Sequence, residues 1–373
     1  MLSVSVVFVL LFLPAFVRAV KCLNESGDPV NWWSAISQGS GSMSYYYIDA
    51  DSADSADSAS SSFTLSSYDV GSSTGGAIMN TVNLLYEDSG DIAYALYNDE
   101  PPPDKTESST YAHAKGVMMA DDEGGYWLVH SKPHWPNGVE DGGGPFPDFD
   151  YAQSLLCVSV DLQTFDEIGE MLKISYPYIY DSALPDSLQS SLPSFGEFIS
   201  KEKVDDESSV ISFSDNAGGS NSDFLAFAKS KAWGKDLYED LVAPQLKDDL
   251  YVETWRDGSG GKMPTFCVAD ADDWHAGGVD WNVYFVNNIT MADGVNWSGT
   301  KDHSKWAVTE GSSGSKWACV GDINRFCSQE ARGGGTLCLQ DDNLWNAFSE
   351  IVAGYDACWE TDVCAGSSQC YWC

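Results

Sequence analysis

The H-x-K pairs His113-Ala114-Lys115 and His303-Ser304-Lys305 each place a lysine two residues after a histidine and stand 190 residues apart. Counted from each histidine, a glycine falls at +11 (Gly124, Gly314), a tryptophan at +14 (Trp127, Trp317) and an imidazole or amide at +21 (His134, Asn324). The chain has only 5 His and 14 Trp, so a spacing shared by such residues points to a diverged duplication rather than coincidence. Residues two apart on a strand project from one face. Each half is therefore expected to present a strand carrying H-x-K, a turn and a returning strand.

Two imidazoles and two ammonium groups around one point suit a phosphodiester. One neutral imidazole can attack phosphorus while the other, protonated, donates to the leaving oxygen. The lysines would stabilise charge on the non-bridging oxygens, and their field would keep one ring neutral in acid. Such a site calls for no metal and no cofactor.

Overall charge argues the other way. The 373 residues hold 19 Lys+Arg against 56 Asp+Glu, a formal charge of −37 at pH 7, which excludes a broad basic surface as the source of polyanion binding. Phosphate chemistry must then be local, or must run in acid, where carboxylates lose their charge. A hydrophobic content of 43% excludes global disorder.

Residues 1–19 read as a secretory signal, with an apolar run from Val4 to Leu13 and small residues at Val17 and Ala19 before the cleavage point. The run is interrupted by Pro14 and Arg18, too short for a membrane anchor. All 10 cysteines lie beyond it, an even number that suits disulfides in an exported chain. The Cys370-Tyr-Trp-Cys373 pair lacks a second such pair or a nearby histidine, so it reads as structural rather than as a metal or redox motif. Sequons at Asn24, Asn288 and Asn296 agree with export and should mark surface loops.

Short segments rich in aromatic and β-branched residues (Ile92–Tyr97, Tyr126–His130, Cys157–Val160, Val283–Val286) read as strands. Phe224–Leu241 and Leu344–Tyr355 read as amphipathic helices, which makes the fold α+β. Asp49–Ser62 is an acidic low-complexity insertion, and Pro133–Pro147 and Ser182–Ser222 read as loops.

Several segments together resemble the deoxyribonuclease II family: Leu96-Tyr97-Asn98-Asp99-Glu100-Pro101, His113-x-Lys115-Gly116-Val117, Gly125-Tyr126-Trp127-Leu128-Val129-His130-Ser131, Leu155-Leu156-Cys157-Val158-Ser159, Asp302-His303-Ser304-Lys305-Trp306, Cys319-Val320-Gly321-Asp322-Ile323-Asn324-Arg325 and Arg332-Gly333-Gly334-Gly335-Thr336-Leu337-Cys338. The resemblance runs in order from about Cys22 to Cys358. It implies two phospholipase-D-like lobes forming a pseudo-dimer, with mixed β-sheets flanked by helices: a first lobe at 20–165, a second at 166–358 and a Cys-rich tail at 359–373. It implies a lysosomal or secreted acid endonuclease that cuts DNA without a metal through a phosphohistidine and leaves 3′-phosphate ends. His113, Lys115, His303 and Lys305 would be catalytic, with Asn324, His130, Ser131 and His134 in support, the last standing where the family often has asparagine. The implied disulfides are Cys22–Cys157, Cys267–Cys358 and Cys319–Cys338. Cys327, Cys364, Cys370 and Cys373 are left over, and whether the molecule is a homodimer is left open.

Other residues carry blander readings. His275 suits a surface or packing role, Asp121 and Asp122 a turn, and Arg332-Gly333-Gly334-Gly335 a tight turn rather than a phosphate loop. Trp32-Trp33 and Tyr45-Tyr46-Tyr47 suit a core, and Lys229, Lys231 and Lys235 a solvated helix face or a DNA contact. A catalytically silent secreted binding protein and a lipid phosphodiesterase are the rival functions.

Overall fold

The computed structural model describes residues 20–53, 61–72, 75–87, 91–103, 105, 110–144, 146, 150–214, 223–257, 261–268 and 280–358. The signal segment, most of the acidic insertion, His275, Cys364, Cys370 and Cys373 lie outside them.

The described chain forms two sheets. The first holds β1 (Trp32–Gly39), β2 (Ser42–Asp49), β3 (Thr64–Asp69), β4 (Ala93–Asn98), β5 (Lys115–Ala120), β6 (Gly125–His130), β7 (Gln153–Val160) and β8 (Ile179–Ala183). Its order is β3-β2-β1-β7-β6-β5-β4-β8, antiparallel throughout. The second holds β9 (Ser208–Ser214), β10 (Asp223–Lys229), β11 (Leu250–Glu253), β12 (Val283–Thr290), β13 (Asn296–Ser298), β14 (Trp306–Thr309), β15 (Trp317–Gly321), β16 (Gly334–Gln340) and β17 (Val352–Asp356). Its order is β13-β12-β11-β14-β15-β16-β10-β9, with β17 added on β12 and only β11–β12 parallel.

Five strands of each sheet follow one plan, β1-β7-β6-β5-β4 in the first and β10-β16-β15-β14-β11 in the second. In both, the second of these strands leads through an aspartate into a helix. Asp161 accepts from Thr164 N to start Leu162–Ser175, and Asp341 accepts from Asn343 N and Leu344 N to start Asp342–Glu350. The helix Leu162–Ser175 runs across residue 165 and β8 returns to the first sheet, so the sequence boundary between the sheets falls between Ala183 and Ser208.

Three of the expected elements differ. Phe224–Leu241 is not one helix: Asp223–Lys229 is a strand paired on both sides, with β16 and β9, and helical turns begin only at Tyr238. Ser182–Ser222 contains the helix Pro193–Ile199 and β9 as well as loops. The helix expected over Leu344–Tyr355 ends at Glu350, after which β17 begins. The two tryptophans at +14 are also not counterparts. In the first hairpin Met118 pairs with Trp127, whereas in the second Val308 pairs with Ala318, so the second hairpin is one residue longer. A shift of one turns a strand residue to the other face. Trp127 accordingly enters the core shared by the two sheets, while Trp317 packs on the far side of its own sheet.

That shared core holds the structure together. It contains Trp32, Met118, Trp127 and Leu156 from the first sheet and Phe224, Trp306, Ala318 and Leu337 from the second, with Phe165 and Ile168 from one helix and Phe348 from the other. The outer face of the first sheet is covered by a second cluster that includes Ile78 and Val82, and that of the second sheet by Leu237, Val242 and Leu246. Strands are therefore apolar on both faces: Tyr126 and Leu128 point outward while Trp127 and Val129 point to the shared core.

The three disulfides implied by the resemblance are present: Cys22–Cys157, Cys267–Cys358 and Cys319–Cys338. Cys327 is also disulfide-bonded. Asn24 lies in a loop and Asn296 is exposed at the start of β13, but Asn288 sits within β12 rather than in a loop. Among the described residues no helix is long and apolar enough to cross a membrane.

Phe348 is fully buried, with ring centroids 5.0 Å from Phe63 and 5.3 Å from Trp306. Phe348→Ala should cost about 3–5 kcal/mol. Because both sheets share that core, urea should unfold the variant, like the parent, in one transition by both fluorescence and circular dichroism; two separate transitions would contradict a shared core.

Candidate active site

The H-x-K segments at 113–115 and 303–305 occupy corresponding places in the two sheets. Lys115 is the first residue of β5, and Lys305 immediately precedes β14. The histidines thus stand just outside the strands rather than on them, at the seam between the sheets.

Each histidine is held by residues that belong to the other half of the sequence. His113 N donates to Gly333 O at 2.9 Å, and His113 Nδ1 lies 2.8 Å from Gln329 Oε1. His303 N donates to Ala152 O at 2.9 Å, and His303 Nδ1 lies 3.2 Å from Ser131 O and 3.3 Å from Gln153 Oε1. Gln153 is held in turn by the Ser131 hydroxyl at 2.6 Å. An amide oxygen only accepts, so the proton of the neutral His113 ring sits on Nδ1 and Nε2 carries a lone pair. At His303 the same nitrogen also lies 3.1 Å from Lys305 Nζ, which donates to His303 O at 2.6 Å.

The glycine run makes this exchange possible. A Cβ on Gly333 would come within 2.1 Å of Ser175 O, and one on Gly335 within 2.3 Å of Phe227 O. Only glycine lets Gly333 reach the His113 amide while β16 lies this close to its neighbours. The short helix Cys327–Glu330 that carries Gln329 is tied down by Lys229, whose buried ammonium donates to Gln329 O and Glu330 O. Lys229 therefore faces inward and is no DNA contact.

The lysines differ sharply. Lys115 Nζ lies 2.5 Å from Asp99 Oδ1 and 3.3 Å from Glu100 Oε2, and Arg332 Nη2 reaches Asp99 Oδ2 at 3.0 Å. Among the described residues Lys305 makes no ion pair. Gly116, after Lys115, pairs with Tyr97, and Trp306, after Lys305, pairs with Glu253. Two residues beyond these partners stand Asp99 in one half and Trp255 in the other. Where Lys115 has a carboxylate, the second half has an indole, its ring 4.7 Å from that of His303.

Ionisation follows the geometry. Burial, then Lys115 and Lys305, hold His113 well below the usual histidine range, partly opposed by Asp99. Burial, then Lys305 and Lys115, do the same to His303. The lysine of each half acts on the histidine of the other, so the two pairs form one electrostatic unit. Burial opposes charge on Lys115, but Asp99 and Glu100 outweigh it and raise its pKa. The same pairing keeps Asp99 ionised far into acid against its burial. Lys305, buried and repelled by Lys115, is pushed down to about 7. Buried Asp322, which accepts from Gly335 N at 3.0 Å, is pushed up to about 7.

The remaining expected residues divide. Ser131 joins the site through Gln153 and His303. Asn324 is buried with Oδ1 unpaired among the described residues. His130 is buried in β6, its Nδ1 accepting from Lys132 N at 3.2 Å and its ring edge against Trp135, and the charge of Lys115 reaches it without direct contact. His134 bonds Pro101 O and Glu100 O instead, bracing the loop that carries Glu100. Asp121 caps the β5–β6 turn through Glu123 N and Gly124 N. Gln329 and Gln153, the two groups that orient the imidazoles, carry no sequence signal of their own.

The family model for deoxyribonuclease II matches residues 21–358 of the chain. Plancitoxin-1 of Acanthaster planci is 34% identical over 91% of this chain and 93% of its own length. Deoxyribonuclease-2-alpha of Sus scrofa is 34% identical over 96% of this chain and 95% of its own, and deoxyribonuclease-2 of Caenorhabditis elegans 32% identical over 93% and 96%.

Because Lys305 opposes protonation of both rings, Lys305→Met should raise the pKa of His303, and of His113 to a smaller extent, in an NMR titration of labelled histidine. An unchanged or lower value for His303 would break the link between the two groups.

Proposed function

The chain belongs to the deoxyribonuclease II family and is a DNA-degrading hydrolase, and we propose that it is an acid, metal-independent endonuclease acting through a phosphohistidine, in the lysosome or outside the cell. The observation that carries this reading is the convergence of His113, Lys115, His303 and Lys305 on one buried seam where each pair acts on the other's ionisation.

His113 is assigned as nucleophile because, among the described residues, its Nδ1 faces the Gln329 acceptor alone, which leaves the Nε2 lone pair to attack. Its depressed pKa keeps that lone pair available in acid. Nε2 attacks phosphorus, the P–O5′ bond breaks, and His303 donates its proton to the departing O5′. The bound phosphate anion offsets the lysine charge and lets His303 carry that proton, with Ser131 O and Gln153 Oε1 accepting from Nδ1. Water then attacks phosphorus and gives a proton to His303 as the N–P bond breaks, leaving a 3′-phosphate. Lys115 and Lys305 stabilise the non-bridging oxygens, the part that metal ions play in other phosphodiesterases.

The acid preference follows from the two groups near 7. Below that pH Lys305 is an ammonium and Asp322 is neutral, while above it Lys305 loses charge and Asp322 gains a negative one. Both changes favour a phosphate anion on the acid side.

DNA should be cleaved near pH 5 in EDTA, with the rate falling as pH rises through about 7, and His113→Ala and His303→Ala should each lose roughly 10³-fold or more in kcat. Strict dependence on an added divalent metal would sink the mechanism. Rapid quenching into alkali followed by peptide mass spectrometry should place the phosphoryl group on His113; finding it on His303 would reverse the two roles.

A further inference from the structure

A chain with 56 acidic residues has few free cations to spare, yet three lysines sit over aromatic rings on either side of the catalytic seam. On the His303 side, Lys301 Nζ lies 5.5 Å from the Tyr151 ring centroid, Tyr151 lies 4.4 Å from Trp255, and Trp255 lies 4.7 Å from His303. On the His113 side, Tyr111 stands two residues before the histidine and stacks at 5.2 Å on Tyr176, with Tyr178 at 5.0 Å. Lys203 Nζ is 4.7 Å from the Tyr176 ring and Lys201 Nζ 5.3 Å from that of Tyr178.

All five rings are half-buried and all three lysines are exposed. Among the described residues none of these lysines makes an ion pair. Both groups are tied by backbone to the site: Ala112 N donates to Tyr176 O, Asn98 N to Tyr178 O, and His303 N to Ala152 O beside Tyr151.

We infer that these two groups are nucleoside-binding subsites, one on each side of the scissile phosphodiester, in which aromatic faces hold the flanking nucleosides and the lysines hold the next phosphates. The inference rests on the proposed nuclease function and extends it to how the substrate is gripped. A lysine that swings from a ring face to the next phosphate opens that face to any base, so this grip is tolerant of sequence. A cation beyond each ring meets the next phosphate of the strand as a local charge, which suits a protein whose net field repels DNA. The subsite on the His303 side is where Trp255 replaces the carboxylate found beside Lys115, so that side offers stacking where the other offers an ion pair.

The test compares an oligodeoxynucleotide carrying one preferred cleavage site with the same strand made abasic at the two nucleotides flanking that site, both at pH 5 in EDTA. The parent protein should cleave the abasic strand with kcat/KM lower by about tenfold. Tyr151→Ala and Tyr111→Ala, which remove rings but no catalytic group, should lose about tenfold on the intact strand and show a much smaller further loss on the abasic one, since the missing ring and the missing base report one contact. Lys316→Ala, on the surface away from both groups, should match the parent on both strands. Equal losses on both strands in the tyrosine variants would overturn the inference while leaving the function standing, whereas absence of DNA cleavage by the parent protein would fail the function itself.

Discussion

Two lysines buried beside two histidines at one seam place positive charge where it is costly, and the surrounding structure is arranged around that cost. The first half meets it with carboxylates: Asp99 and Glu100 face Lys115, and Arg332 completes the group from the second half. The second half meets it by letting Lys305 approach neutrality near pH 7. Two sheets built on one plan have thus become chemically unlike at the point where their likeness would matter most. One ammonium is permanent and the other is conditional on acid.

The acidity of the chain takes its place beside this arrangement. The net charge excludes a broad basic surface but says nothing about a buried pocket whose field is set by groups a few ångströms away. Asp99 remains ionised in acid because Lys115 and Arg332 pair with it. A falling pH therefore neutralises buried Asp322 while leaving the paired charge of Asp99 in place.

How much of this was legible in the sequence depended on rarity and on range. Histidine is scarce enough that the H-x-K pairs at 113–115 and 303–305 could be matched through the spacing that follows them, and the structure brings all four residues together. Tryptophan at +14 completed the match for the wrong reason, since one extra residue in the second hairpin turns Trp317 to the opposite face. The strand Asp223–Lys229 reads as a helix in sequence because a strand buried on both faces shows no alternation, and Phe224 and Phe227 fit a helical period as well. Gln329 and Gln153 could not be found at all. They are ordinary amides whose partners lie 216 and 150 residues away, and only the folded seam makes them neighbours.

The crossing of support between the halves has a consequence for behaviour in dilute solution. An active site assembled from two separate molecules falls apart once their concentration drops below the dissociation constant. Here the groups that orient His113 come from beyond residue 328 and those that orient His303 from before residue 155, and all are on one chain. Each half therefore meets the other at an effective concentration fixed by the connecting polypeptide. The four residues and the groups that orient them therefore stay together at any degree of dilution.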